Sequence, residues 1–255
     1  MSTATESRAA VGSAASSALV VVPTYNERDN LPLLVAGLMQ HPNVRLLVVD
    51  DQSPDGTGDL AEALAKEHRG RIDVLHRTAN RGLGRSYIDG IKLAIQQPVD
   101  VICQMDADLS HDPAQLPRLI EAAGRSDVVI GSRYVPGGTI VNWPKRRRLL
   151  SRFANTYIRL VTRLEAHDCT SGYRCWRREA LAALPLDRFI SDGYSFLVEM
   201  LFVASRRGFT IGEVPITFVE RRLGESKLSR AVIVESAVTP WRLTATRGKF
   251  ERDPR

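Results

Sequence analysis

The sequence predicts an α/β protein with a mostly parallel central sheet flanked by helices. Three observations predict it. Short apolar runs rich in β-branched residues recur through the first half of the chain. Segments with helical hydrophobic spacing lie between them. The chemically distinctive residues follow directly after a run, as ligand-binding residues do at the carboxyl ends of strands in open α/β sheets.

The runs cover residues 18–22, 45–49, 73–75, 99–105 and 127–131, and their length and flanking Gly, Pro and Asp favour buried strands. Helices are expected over 30–40, 57–68, 84–96 and 113–123. The last begins with Asp112 as N-cap and Pro113 at the first helical position. There is no internal repeat. The first run ends in Pro23-Thr24-Tyr25-Asn26-Glu27 rather than a Gly-x-Gly turn. Gly82-Leu83-Gly84 comes after the third run and lacks the third glycine, which argues against a nicotinamide enzyme.

Residues 1–17 are rich in Ala and Ser without a continuous apolar stretch, so a disordered leader is expected rather than a signal peptide. Residues 18–243 read as one catalytic domain and 244–255 as a polar tail. No stretch reaches the roughly 18 apolar residues of a membrane-spanning helix. Cys103, Cys169 and Cys175 are too few and scattered for a disulfide framework or zinc spacing, which favours a reducing, cytoplasmic setting.

Across 255 residues, 44% apolar and 25% charged composition excludes a wholly disordered chain. The net charge of +6 is unevenly spread. Residues 1–132 hold 12 Lys/Arg against 17 Asp/Glu, and residues 133–255 hold 23 against 12. An acidic front and a basic back suggest separate handling of a cation and of anions or a membrane surface. Nucleic acid is not the expected partner, because the basic half lacks interleaved aromatics and a known motif.

Two acidic clusters end strands: Asp50-Asp51 and Asp106-Ala107-Asp108. Carboxylates one residue apart can turn toward one hard cation such as Mg²⁺ or Mn²⁺, which commonly joins them to substrate phosphates. The competing reading is a helix-capping loop. Tyr25 and Asp51 suit a nucleoside, one offering an aromatic face and the other a carboxylate for a base edge or ribose. The stretch 53–57, Ser-Pro-Asp-Gly-Thr, is a turn by composition. Arg133 follows the fifth strand, Lys145-Arg146-Arg147-Arg148 come next, and Gly224-Glu225-Ser226-Lys227 resembles a flap bearing a phosphate-seeking Lys. Over 149–164, helical geometry at 100° per residue gathers Arg148, Arg152, Arg159 and Arg163 within about 60°. Leu149, Phe153, Tyr157, Leu160, Val161 and Leu164 take the other side. That is the pattern of an amphipathic helix in a membrane interface. A surface helix packed on the sheet has the same periodicity.

Together these segments resemble the dolichol- or polyprenol-phosphate mannosyltransferases, from about Leu19 to Lys227. The marks are Pro23 to Arg28, Val49-Asp50-Asp51, Ser53 to Thr57, Met105 to Ser110, Gly131 to Tyr134, Thr170 to Arg174 and Gly224 to Lys227. The resemblance implies a GT-A-like nucleotide-diphospho-sugar transferase fold. It implies that Pro23, Tyr25, Glu27, Val49 and Asp51 hold the guanosine end of GDP-mannose. Asp106, Ala107 and Asp108 would sit at the diphosphate, both carboxylates on Mg²⁺ or Mn²⁺. Ser110 takes the further metal position where the family often has Gln. Arg133, Arg221 and Lys227 would contact donor or acceptor phosphates, and Arg147 and Ser151 match positions near the lipid phosphate.

The reaction implied is direct displacement at the anomeric carbon by the phosphate of a polyprenyl phosphate, with inversion and loss of GDP. A phosphate monoester is already anionic at neutral pH, with a second pKa of about 6, so no strong general base is needed. The family further implies a peripheral position on the cytoplasmic face of the membrane, held by interfacial helices or by a separate integral-membrane partner protein. A relative using UDP-glucose or another nucleotide sugar on the same lipid is the first alternative. A catalytically silent subunit that recruits a nucleotide sugar or a membrane partner is the second.

Overall fold

The structure, a computed structural model, describes residues 16–78, 81–191, 193–220, 230–246 and 248. Most of the expected leader and of the polar tail lies outside them. Ser17, at the leader's end, is tied to Asp100 through its amide and hydroxyl, both at 2.8 Å.

The five apolar runs form strands β1 (Ala18–Thr24), β2 (Val44–Asp50), β3 (Ile72–His76), β4 (Val101–Gln104) and β5 (Val128–Ser132). Helices α1 (Leu31–Leu38), α2 (Thr57–Glu67), α3 (Leu83–Ala94) and α4 (Leu116–Ala122) fill the intervals. The helix expected over 113–123 divides into a 3-10 turn at Pro113–Gln115 and α4, because Pro117 supplies no amide hydrogen for the first α-helical turn. The Asp112 cap is as expected, its carboxylate accepting from the Ala114 amide at 2.9 Å. After β5 come β6 (Thr139–Val141), α5 (Lys145–Thr162), β7 (Arg174–Arg177), α6 (Arg178–Ala182), α7 (Gly193–Arg206), β8 (Ile211–Pro215), β9 (Thr217–Val219) and α8 (Arg230–Ala245).

The main sheet has the order β3-β2-β1-β4-β7-β5-β8. Its pairings are parallel except at β7, which runs antiparallel to both β4 and β5. A small parallel pair, β6 with β9, stands apart. Both faces of the main sheet are covered. Leu19, Val21, Leu47 and Val49 enter one core, while Val20, Val22, Leu46 and Val48 enter the other. Burial on both faces explains why these strands read as continuous apolar runs rather than alternating ones.

The chain steps from β1 outward through β2 to β3, then crosses back to place β4 on the other side of β1. The crevice above the carboxyl ends of β1 and β4 is therefore the switch point where open α/β sheets bind ligands. Three loops reach it, and each turns through one non-glycine residue in the left-handed region. These are Asn26 after β1, Gln52 after β2 and Leu109 after β4, with φ of 60°, 61° and 61°.

The basic amphipathic helix differs from its expected span. It starts at Lys145, so the basic run forms its first turn, and Arg163 closes it at φ 60°. Asn155, Ile158 and Thr162 face the protein. Leu149, Phe153 and Leu160 face outward, 72%, 67% and 77% exposed. Leu164 lies beyond the helix and is buried. The protein-facing stripe uses small and polar side chains, which periodicity of large apolar residues does not identify. Beside α5, α8 adds exposed Val238 and Trp241. The Tyr157 hydroxyl joins the two helices by donating to the Ala237 carbonyl at 2.6 Å.

Gly90 lets α3 lie directly on the sheet: a Cβ there would stand 2.7 Å from both Val21 Cγ1 and Val49 Cγ2. Gly90→Val is expected to lower unfolding stability by about 1–3 kcal/mol, because overpacking outweighs the few tenths gained in helix propensity. Urea denaturation measures it, and unchanged stability would contradict this packing.

Candidate active site

The acidic loops at the switch point are held by their surroundings before any ligand arrives. Asp51, at the end of β2, is buried. It pairs with the buried Arg77 guanidinium and accepts the Gly82 amide at 2.9 Å. Arg77 also reaches Asp89 at 2.8 Å and the Ser86 hydroxyl at 3.3 Å, which ties β3 and α3 to this carboxylate. Tyr25 is half-buried, and Arg81 both bonds its hydroxyl at 2.6 Å and lies 5.0 Å from its ring centroid. Glu27 accepts from Asn30 at 2.8 Å, and its amide donates to Thr57. Pro23 pairs in register with Val49, whose side chain is wholly inside the core. Val49 therefore offers no side chain to a ligand, and Ala107, buried likewise, offers none either.

The second acidic loop makes hydrogen bonds to a phenol, an imidazole and backbone amides. Asp106 accepts from the Tyr87 hydroxyl at 3.4 Å, and its amide donates to His111 Nδ1 at 3.2 Å. His111 Nδ1 is also 3.8 Å from Asp106 Oδ2, a spacing that would count as an ion pair if the ring were charged. Burial lowers the His111 pKa against the pull of Asp106, which favours the neutral ring. Asp108 is buried and accepts the Ser110 amide at 3.1 Å. Gly172 makes room for Asp106, since a Cβ there would lie 3.1 Å from Oδ1.

These carboxylates could hold a divalent cation. The Ser110 hydroxyl is buried with no hydrogen-bond partner, an orphaned oxygen beside two carboxylates. Among the described residues no group of three or more His, Cys, Asp or Glu side chains forms a metal cage. Oxygen donors without a full cage suit Mg²⁺ or Mn²⁺, which keep positions open for substrate phosphates and water.

A cavity of about 490 Å³ connects this loop to the basic half of the chain. Asp106, Asp108, Ser110, Arg133, Arg147 and Ser151 all line it. Its other wall is apolar, built from Leu150, Phe153 and Tyr157 of α5, Val198 of α7 and Pro240 of α8. Pro23, Tyr25, Glu27, Val49, Asp51 and Ala107 are not among its lining residues; they belong to the neighbouring strand ends or the core. Arg221 and Lys227 lie outside the described residues.

Arg133 is less free than its sequence position suggests. It is buried against Asp168, with Nε and Nη2 each 2.7 Å from a carboxylate oxygen, and Nη2 also reaches Thr170 at 2.8 Å. Among the described residues only Nη1 is left without a partner and could take a phosphate. Burial alone would lower the arginine's pKa, but Asp168 outweighs it and raises it; burial would likewise raise that of Asp168, which Arg133 lowers. Arg147 pairs with Glu220 at 2.6 Å and lies 4.1 Å from the Trp143 ring centroid. Ser151 accepts from the Tyr134 hydroxyl at 2.7 Å. Asn155 ties α5 to the loop after it, donating to Thr170 and accepting the Cys169 amide.

Sequence reasoning missed Arg77, His111, Asp168 and Glu220. His111 had a signal, since it directly follows Ser110 in the acidic loop. Arg77 and Asp168 had none, being 26 and 35 residues from their partners.

Residues 19–184 match the model of the family described as Glycosyl transferase family 2. The chain is 48% identical over 239 residues to polyprenol monophosphomannose synthase of Mycolicibacterium smegmatis, covering 92% of this chain and 89% of that protein. It is 49% identical over 230 residues to undecaprenyl-phosphate mannosyltransferase of Micrococcus luteus, covering 89% and 94%. Among solved structures it superposes on glucosyl-3-phosphoglycerate synthase of Mycobacterium tuberculosis in complex with Mn²⁺, uridine diphosphate and phosphoglyceric acid. The TM-score there is 0.67 at 18% identity, over 94% of this chain and 80% of that one. The same enzyme with Mn²⁺, UDP-glucose and phosphoglyceric acid gives 0.65 at 17%, over 94% and 82%. The architecture is thus the GT-A fold expected from the sequence.

Asp168→Ala would strand Arg133 as a buried unpaired charge, at an expected cost of about 3–5 kcal/mol in denaturant unfolding. Because the folded pKa of Asp168 is depressed, the pair's contribution is present above the unfolded carboxylate value. It is lost as pH falls through the folded one. The wild type should therefore shed this stability only in acid, and a variant as stable as wild type at pH 7 would contradict the assignment.

Proposed function

Because the chain belongs to glycosyl transferase family 2 and is a glycosyltransferase, we propose that it transfers mannose from GDP-mannose to a polyprenyl phosphate, with inversion, releasing GDP. The observation that carries this reading is the single cavity joining the acidic loop, the basic residues and an apolar wall. Nucleotide diphosphate, phosphate and hydrocarbon chain each have a matching surface there. The names of the two curated relatives support the mannosyl and polyprenyl parts.

Tyr25, Glu27 and Asp51 orient the nucleoside, with Pro23 and the backbone of Val49 beneath it. Asp106, Asp108 and Ser110 would hold Mg²⁺ or Mn²⁺, and Ala107 contributes backbone at the diphosphate. When bound, the cation neutralises charge on the departing diphosphate. The Mn²⁺ in the structural neighbours supports the choice of ion. Arg147 and Ser151 receive the acceptor's phosphate, Arg133 offers Nη1, and Arg221 and Lys227 complete the phosphate contacts. The acceptor's oxygen is already ionised, so positioning, not proton abstraction, governs the rate.

The polyprenyl phosphate reaches this site from a bilayer surface. Among the described residues no helix is long and apolar enough to cross a membrane. Leu149, Phe153, Leu160, Val238 and Trp241 project outward, with Arg148, Arg152 and Arg163 exposed beside them. Such a surface fits a peripheral position on the anionic, cytoplasmic leaflet, arginines at headgroups and apolar side chains below.

The test incubates the protein and a short polyprenyl phosphate with a panel of labelled nucleotide sugars, with Mg²⁺, Mn²⁺ or chelator. Label is expected in the lipid phase from GDP-mannose alone, and to be lost with chelator. Transfer from UDP-glucose instead would replace the donor assignment; no transfer from any donor would favour a silent subunit. Asp108→Ala is expected to abolish the metal-dependent transfer, at least 100-fold, with the melting transition retained. Turnover near wild type would refute the metal assignment.

A further inference from the structure

His111 lines the cavity at the acidic loop, and no part of the proposed reaction uses it. Its ring is almost completely enclosed, stacked on Tyr173 at 5.0 Å between centroids and edge-to-face with Phe218 at 5.6 Å. An isolated backbone bridge between His111 and Phe218 fixes the two further. The ring cannot turn freely, so its two nitrogens have fixed tasks.

The first task is set by the backbone. The Asp106 amide can only donate, and it donates to Nδ1 at 3.2 Å. Nδ1 therefore carries no proton, and the proton of the neutral ring is on Nε2. Among the described residues no group accepts from Nε2. The atom is nevertheless not one of the sealed orphans of the interior, because His111 borders the cavity. A fixed N–H donor without an acceptor among the described residues thus belongs to a side chain that lines the site.

What lies opposite follows from the neighbours. Phe218 is shared: the Arg133 guanidinium carbon stands 5.2 Å from its centroid and the His111 ring 5.6 Å. On its other side His111 adjoins Asp106. A ligand group between the carboxylates that would hold a cation and the Nη1 of Arg133 is an anion. A neutral donor suits that place.

We propose that His111 is a phosphate-binding residue of the site, its Nε2–H donating to a phosphate oxygen while Nδ1 holds the Asp106 amide. The inference rests on the transfer reading above only for which phosphates enter: the donor's diphosphate or the acceptor's monophosphate.

Two measurements test it. In ¹⁵N-histidine-labelled wild-type protein, the Nε2–H resonance of His111, assigned by its contacts with the Tyr173 ring, is followed on adding either GDP with Mg²⁺ or a short polyprenyl phosphate. A downfield shift with GDP assigns the bond to the diphosphate, and a shift with the lipid phosphate assigns it to the acceptor. No shift with either overturns the proposal. His111→Asn keeps an oxygen near Nδ1 to accept the Asp106 amide but removes the donor. It is expected to weaken the affinity for whichever phosphate gave the shift by about 10- to 100-fold, the range of a hydrogen bond to a charged group, with the other affinity unchanged. Unchanged affinity for both overturns the proposal; if this variant does not fold, the wild-type resonance decides. A wild-type protein that binds these phosphates yet transfers no mannose would refute the transfer reading and leave His111 in place.

Discussion

Charge that leaves water must be paired, and this constraint arranges the site. The carboxyl ends of a parallel sheet bring acidic loops together, and each buried charge there is met differently. Arg77 neutralises Asp51 at the end of β2. Asp168 neutralises Arg133 after β5. Arg174, wholly buried in β7, is held by three backbone carbonyls, those of Ser171, Leu197 and Cys169. Burial lowers its pKa to about 10, still far above neutral, so it stays charged and anchors the loop carrying Gly172 beside Asp106. By contrast, hydroxyl, imidazole and amide groups surround Asp106 and Asp108.

The front of the fold was legible because it repeats one local grammar. Buried strands leave continuous Val, Ile and Leu runs, and Asp, Pro and Gly mark where they stop. The back was not legible for equally physical reasons. β7 reads Arg-Cys-Trp-Arg, which shows neither alternation nor an apolar run, yet its first arginine is buried inside the sheet. α7 is buried nearly all round from Ser195 to Ala204, so it carries little amphipathic period. In α5 the arginines were visible, but not which side faced the protein. Asn155 and Thr162 pack inward through hydrogen bonds while Leu149 and Leu160 point out.

The same contrast separates residues from roles. The positions of Asp51, Asp106, Asp108 and Arg133 at strand ends could be read directly. That Arg133 spends two of its three nitrogens on Asp168 could not, because the pairing is a property of the folded chain. Pair partners 26 and 35 residues apart have no local spacing to betray them. His111 is the intermediate case: adjacent in sequence to the acidic loop, but informative only once the Asp106 amide fixes its tautomer.

The order of the chain along the switch point has an evolutionary consequence. Loops contributed before residue 110 form the side proposed for the nucleotide, and segments after residue 130 build the basic and apolar side of the cavity. The two meet at one short loop, and each keeps its own buried ion pair, Arg77 with Asp51 and Arg133 with Asp168. Mutations on one side therefore leave the electrostatic balance of the other intact. Donor choice and acceptor choice can drift separately under selection, and segments can be exchanged between relatives at the boundary without rebuilding the centre.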